Sequence, residues 1–412
     1  MAPVEQQFPR FNIKDVEATA FQAFCDGLEN IPLRGKRIAV AAGSRGIENL
    51  DSIVRAAVNA LKQCGAEAFL VPAMGSHGGG EADSQKQILL EYHLTPDHVG
   101  AEIISSMETV QLGETPNGLP VFMDRNAYEA DGVILINRIK PHTDFTGVVE
   151  SGLMKMTAIG LGKIDGASAF HSRTSQFESD QMIRDIAHSA LQRGKILGGL
   201  AIIENAYHET AHLEWTTPDA MDANEQHWLK RAKEYMPSLP VTQADCLIVD
   251  RIGKNISGVG LDPNITGRRY KINRRWNTTP DITRIIVLGL TEQTNGNAVG
   301  CGLADFCSQR LVDAMDKNVT YINAVTSRNV VCADIPPHWE TDKETLQWAF
   351  KSVGNPDLSQ LRVLRICDTL SLTHIEASES LLDEIRQTDQ VARVGGLRAM
   401  TFDSTGTLAP LA

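Results

Sequence analysis

The sequence predicts an α/β protein of two domains, each a mainly parallel sheet flanked by helices, with the active site in the interdomain crevice. Three observations carry that reading. Apolar runs of strand length recur along the chain, and most are followed by Gly, Asn, Ser or His. A segment with helical spacing separates the first two runs. The 412 residues suffice for two or three domains rather than one.

The runs are Arg37–Ala42, Ala68–Pro72, Gly132–Ile136, Leu200–Ile203, Cys246–Val249, Ile285–Leu290 and Val363–Ile366. Short, continuously apolar strands fit a parallel sheet covered on both faces. Asp51–Cys64 carries apolar residues at helical spacing, with Asp51 as the expected N-cap and Gly65 as the stop. Strand, helix and strand within about 35 residues form a βαβ unit. In such sheets ligands bind beyond the carboxyl ends of the strands. Three segments stand there: Gly43-Ser44-Arg45-Gly46, the MGSHGGG stretch Met74–Gly80, and Asn137–Thr143 with its KPH triplet. The pattern predicts that they converge.

A charge-rich stretch, 211–240, carries Trp215 and Trp228 and reads as a bridge. Residues 1–235 are expected to form an N-terminal catalytic and cofactor domain, and 236–412 a C-terminal α/β domain that closes over the substrate. No internal repeat or low-complexity segment interrupts them.

Composition narrows the function. Hydrophobic residues make up 42% and charged residues 22%, as in an ordinary globular protein. The net charge of −12, from 39 basic and 51 acidic residues, argues against nucleic acid as a partner. The seven cysteines are scattered without a C-x-x-C pair, which points to reduced thiols and a cytoplasmic location. The opening MAPVEQQFPRF lacks signal-peptide character, and no apolar run approaches the roughly 20 residues of a membrane span. No membrane partner is therefore expected. A homo-oligomer is left open.

Four residues could do chemistry. His77 precedes three glycines, a backbone that can turn with positive φ and approach a ligand closely. It reads as an acid/base or ligand, or else as part of an exposed loop. His142 follows Pro141, with Lys140 and Asp144 near enough to orient an imidazole. Lys155, between Met154 and Met156, is either a snorkelling side chain or a desolvated nucleophilic amine. Ser151 and Gly152 before it suggest a helix start facing a phosphate. His171 lies sixteen residues beyond Lys155, and with the other histidines it could complete a metal site, although no compact zinc spacing is present. GLGKIDGA (Gly160–Ala167) lacks the dinucleotide fingerprint. In the second half, Lys254 and Arg268 lie in a polar Gly-rich loop and could clamp a carboxylate, or simply belong to a capped surface loop. Glu292–Asp305 is a similar loop.

Arg45 in GSR, His77 in GSH, His142 in KPH, Ser151-Gly152 with Lys155, and His171 sixteen residues later together resemble the nickel-dependent lactate racemase superfamily. The resemblance is strongest over roughly residues 10–235. It implies an isomerase, a racemase or epimerase of a small-molecule 2-hydroxy acid that removes a hydride from the α-carbon and returns it. It implies a nickel-pincer nucleotide bound to Lys155 with Ser151 and Gly152 beside it, His171 as nickel ligand, His77 and His142 as acid/bases, and Arg45 on the substrate carboxylate. The chain departs from the family in Ala42 before GSR and in SGLMK around Lys155. A second reading keeps the fold but binds zinc or another divalent ion directly through the histidines, without the pincer group.

Overall fold

The structure, a computed structural model, describes residues 1–43, 46–173, 178–271, 274–354 and 357–411. Contacts divide the chain into two units, Pro9–Met236 and Met1–Phe8 with Pro237–Ala412. The first strand, β1 (Ala2–Gln6), belongs to the second of these.

In Pro9–Met236 the strands are β2 (Arg37–Ala42), β3 (Glu67–Pro72), a hairpin of β4 (Thr109–Glu114) and β5 (Pro120–Asp124), then β6 (Gly132–Arg138), β7 (Ile196–Glu204) and β8 (Thr210–Thr216). The main sheet runs β3-β2-β6-β7-β8. Its first four strands are parallel and β8 is antiparallel. Successive side chains point to opposite faces. Ile38, Val40, Leu70, Ile134 and Ile136 therefore share one core with the helices Val16–Leu28 and Leu50–Gln63. Ala39, Ala41, Phe69, Val133 and Leu135 share another with Ser179–Arg193 and Met221–Tyr235. Burial on both faces explains why these strands read as unbroken apolar runs. Each large side chain so buried contributes about 1.5–3 kcal/mol.

The helix expected from Asp51 starts at Leu50, after Asn49 in the left-handed region with φ 59°. Asn49 makes no side-chain cap. Asp51 sits inside the first turn, where its charge favours the helix dipole, and faces His98 Nε2 at 3.0 Å.

The other unit contains β9 (Gln243–Val249), β10 (Arg268–Lys271), β11 (Arg274–Asn277), β12 (Asp281–Val287), β13 (Phe306–Cys307), β14 (Val363–Asp368), β15 (Ser371–Ala377) and β16 (Val391–Val394). Its sheet runs β13-β12-β9-β14-β15-β1-β16. The half from β13 to β14 is parallel and the rest antiparallel. The first eight residues, expected in the N-terminal domain, instead supply β1. Val4 pairs with Ile375 on one side and Val394 on the other. Ala2 and Val4 are buried there, a long-range pairing that no local pattern signals. The later boundary falls between Met236 and Pro237. Among the described residues, no helix is long and apolar enough to cross a membrane.

Candidate active site

The parallel strands β3, β2 and β6 end side by side at Pro72, Ala42 and Arg138. The short helix Leu153–Lys155, continued by a π-helical turn at Met156–Gly160, lies against these ends. The Gly75 amide donates to the Gly160 carbonyl at 3.0 Å. Asn137 Nδ2 donates to the Gly152 carbonyl at 2.8 Å, and the Lys140 amide to the Ser151 carbonyl at 2.9 Å. A side chain at Gly43 would stand 2.7 Å from Asn137 Oδ1 and 3.2 Å from Met156 Cε. The segment bearing Lys155 is thus fastened to the loops that follow β3 and β6 and packed against the residue that follows β2.

Within it, Leu153, Met154, Met156, Thr157, Ala158 and Gly160 are buried. Lys155 and Ile159, four apart, share the half-exposed face. The Leu161 amide bonds the Met156 carbonyl at 2.8 Å, the i→i+5 link of a π-turn. The helix start meets a carboxyl of the protein itself. Met154 N–H donates to Glu225 Oε2 at 2.9 Å. Glu225, from Met221–Tyr235, is wholly buried. A side chain at Gly152 would meet Ile139 Cδ1 at 2.5 Å and Glu225 Cδ at 2.6 Å. The amides of a helix start need acceptors, and here the protein supplies its own carboxyl. Burial pushes Glu225 up to about 8, against the Met154 and Leu153 amides, which lower it.

His77 stands half-buried and extended, φ −60° and ψ 161°, between glycines in the left-handed region: Gly75 at φ 61°, Gly78 at 64°, Gly79 at 68° and Gly80 at 71°. Gln85 Nε2 holds this loop by donating to the carbonyls of Gly75 at 2.8 Å and His77 at 3.0 Å. Gln85 Oε1 in turn accepts from Lys163 Nζ at 3.3 Å. Lys163 also donates to the Pro72 carbonyl at 2.5 Å and pairs with Asp124 Oδ2 at 3.1 Å. Desolvation pushes its amine below the ordinary lysine range, and Asp124 draws it back up. Gln85 and Lys163 escape the sequence reading. Lys163 lies in GLGKIDGA, which reads there only as a failed dinucleotide loop.

His142 is fixed on several sides. Its amide donates to Glu150 Oε2 at 2.6 Å. Glu150, itself buried, also accepts from the Gly147 amide at 3.1 Å and from Lys233 Nζ at 2.6 Å. The His142 ring stacks on Phe145 at 4.2 Å and 27°. Asp144 acts on it through its backbone, with the amide donating to Nδ1 at 3.1 Å. In the neutral ring the proton then sits on Nε2. Glu150 and Phe145 are further positioning groups that the sequence reading missed.

His171 is half-buried near the end of the helix Lys163–Ser172, edge-on to Phe170 at 5.3 Å. A side chain at Gly166 would lie 3.4 Å from the Ala158 carbonyl, so this helix packs on the Lys155 segment at its glycine. Among the described residues, no group of three or more His, Cys, Asp or Glu is placed to hold a metal ion.

Arg45 lies outside the described residues. Lys254 and Arg268 belong to the other unit. Lys254 Nζ donates to the Gly258 carbonyl, and its amide to Thr294 Oγ1 at 3.0 Å. Arg268 is not a ligand clamp. It is 4% exposed, and its guanidinium grips Asp305 Oδ1 and Oδ2 at 3.1 and 3.0 Å, with Asn277 Oδ1 at 2.7 Å and the Ile282 carbonyl at 2.9 Å. Its donors are spent on the fold of its own unit.

Residues 24–182 match the family model of the lactate racemase N-terminal domain. No curated protein matches the chain. Among solved structures, the lactate racemase apoprotein from Thermoanaerobacterium thermosaccharolyticum shares the fold, with a TM-score of 0.53 and 13% identity over 90% of this chain and 99% of that one.

Proposed function

We propose that this lactate racemase-like chain is a racemase or epimerase of a 2-hydroxy acid. One observation carries the reading: the His77 loop, the His142 segment and the Lys155 helix are fastened together at the carboxyl ends of adjacent parallel strands. That is where such sheets place reacting groups.

The chemistry follows from the substrate. A Cα–H beside a carboxylate is a poor acid, so hydride removal avoids a costly carbanion. It requires the hydroxyl proton to leave in the same event, which suits an imidazole with an unperturbed pKa of about 6.5. The product is a planar 2-keto acid, and hydride return to the opposite face inverts the centre. In this reading His77 and His142 exchange the hydroxyl proton, and Arg45 holds the carboxylate. His142 presents Nε2–H as found. It can accept a proton there only if the Asp144 amide releases Nδ1.

Lys155 would carry the nickel-pincer nucleotide and His171 would ligate its nickel. The residues fit that group in one respect that separates the two lysines of the segment. Lys155 is half-exposed, whereas Lys163 is buried with its amine committed to Pro72, Gln85 and Asp124. Of the two, Lys155 is the lysine whose side chain is not fully buried. When bound, the group would supply the hydride acceptor.

Intact mass and metal analysis of protein from its own host should show an adduct at Lys155 with nickel near stoichiometry. Active protein with unmodified Lys155 would remove the pincer proposal. His77→Ala and His142→Ala should each lower kcat/KM by about 10²–10⁴ with the fold intact. Because racemisation has an equilibrium constant of one, both directions must fall equally. Full activity in either variant would end the two-histidine mechanism.

A further inference from the structure

Lys163 and Gln85 form a buried junction between the parts of the site. Lys163 Nζ joins three separate elements: it donates to the Pro72 carbonyl at the end of β3 and to Gln85 Oε1 on the helix Ala82–Glu91, and it forms an ion pair with Asp124 Oδ2 at the end of β5. Both side chains are wholly buried. Gln85 turns its amide onward to the carbonyls of Gly75 and His77, on either side of Ser76. Lys163 also opens the helix that carries His171, and the Asp124 amide bonds the Leu161 carbonyl at 2.7 Å, just beyond the π-turn after Lys155. A residue with φ 53° that is not glycine persists only where its surroundings hold it.

We infer that Lys163 and Gln85 are positioning residues, a buried relay that sets the backbone of the His77 loop relative to the segments bearing Lys155 and His171. The role deepens the racemase reading and rests on it for its purpose, but not for its test. Four of the six residues from Gly75 to Gly80 are glycines in the left-handed region, which bring no side chains to pack. Two carbonyls held by one buried amide, itself anchored by a buried ammonium, fix the part of the loop from which the His77 side chain departs.

Gln85→Glu is the sharpest test. It keeps the volume and the acceptor for Lys163 but replaces the amide donor with an oxygen that repels the two carbonyls. Gln85→Leu removes both links, and Lys163→Met with Asp124→Asn removes the anchor without stranding a buried charge. The readouts on the full chain are amide hydrogen exchange and ¹⁵N shifts of the imidazoles, neither of which needs turnover. The Gly75, His77, Gly80 and Glu81 amides are each bonded and so report on the loop. Exchange at these amides should quicken at least tenfold in the Gln85 variants, with β2 and β3 unchanged. The His77 imidazole shifts should move while those of His142 stay. Unchanged loop exchange in Gln85→Glu overturns the inference. So does quickening spread evenly through the unit, which would make the pair general scaffold. If the loop responds as expected but the wild type racemises no 2-hydroxy acid, the functional reading fails and the positioning role stands alone.

Discussion

Each unit has a glycine-rich region with nearly the same appearance in sequence, and the two do opposite things. Gly75–Gly80 follows β3. The loops 253–260 and 296–302 follow β9 and β12. All mix Gly with Ser, Asn or Thr, and all use positive φ. In the first, a side chain added at Gly79 would meet nothing within 4 Å among the described residues, and one at Gly80 would meet only the side chain of Ile164. In the second, backbone packs on backbone. A side chain at Gly260 would stand 2.0 Å from the Val299 carbonyl, and one at Gly300 2.0 Å from the Val259 carbonyl. A side chain at Gly302 would likewise stand 1.8 Å from the Val331 carbonyl. Glycine gives the first loop its conformations and the second pair its closeness. A glycine-rich loop is thus not in itself a ligand signal. Among the described residues, backbone fills the space beside Gly260, Gly300 and Gly302 and leaves it open beside Gly79.

The largest test of that contrast is Gly260→Ala or Gly300→Ala. Left-handed strain and overpacking against a carbonyl together cost on the order of 4 kcal/mol. Calorimetry should show the transition of this unit lowered by roughly 10 °C. A Tm close to wild type would mean that the loops are not sewn together.

The next effect concerns the open side and depends on pH. Glu225 is raised from 4.5 to about 8 in the folded protein. Its folded pKa lies above the unfolded one, so its full contribution is present below pH 4.5 and is lost as pH rises toward 8. Glu225→Gln mimics the protonated acid. It should match wild type in Tm at pH 4.5 and exceed it by several degrees at pH 9. Equal Tm profiles across that range would show that the carboxyl under the Lys155 helix is not held protonated.

Arg268→Lys comes third. Losing the fork on Asp305 should cost about 2 kcal/mol and leave substrate KM alone. A raised KM with unchanged Tm would restore the carboxylate role that the sequence suggests.

The sequence carried the sheet of Pro9–Met236 well. Arg37–Ala42 matches β2 end to end, and the runs at 68–72 and 132–136 fall inside β3 and β6. Burial on both faces leaves a continuous apolar signature. β1 and β16 were not legible, because their pairing spans nearly the whole chain and each has only a few residues to show. Of the candidate site, His77 and His142 stand out in sequence just after β3 and β6, and Lys155 stands out between two methionines. Its supports do not. Gln85, Glu150, Lys163 and Glu225 are buried polar residues whose meaning lies in partners from other elements, and in sequence each looks like a surface residue of a helix or loop. Arg268 erred in the other direction, since a conspicuous cation in a Gly-rich loop looks alike whether it faces a ligand or a buried carboxylate.

The smallest predicted effect is also the one that bears most directly on the comparison. Gly79→Ala places a methyl group where no described atom lies within 4 Å, at a φ of 68°. Only the left-handed backbone penalty remains, about 1 kcal/mol, or a Tm lowered by about 2–4 °C. Gly260→Ala carries the same kind of backbone penalty at φ 77° plus the carbonyl collision. The difference between the two substitutions therefore isolates the close packing from the conformation. A calorimetric loss at Gly79 as large as that at Gly260 would mean that the His77 loop is as tightly filled as the scaffold loops, and the distinction between them would collapse. A loss near 1 kcal/mol would leave the space beside Gly79 as room that the fold itself does not use.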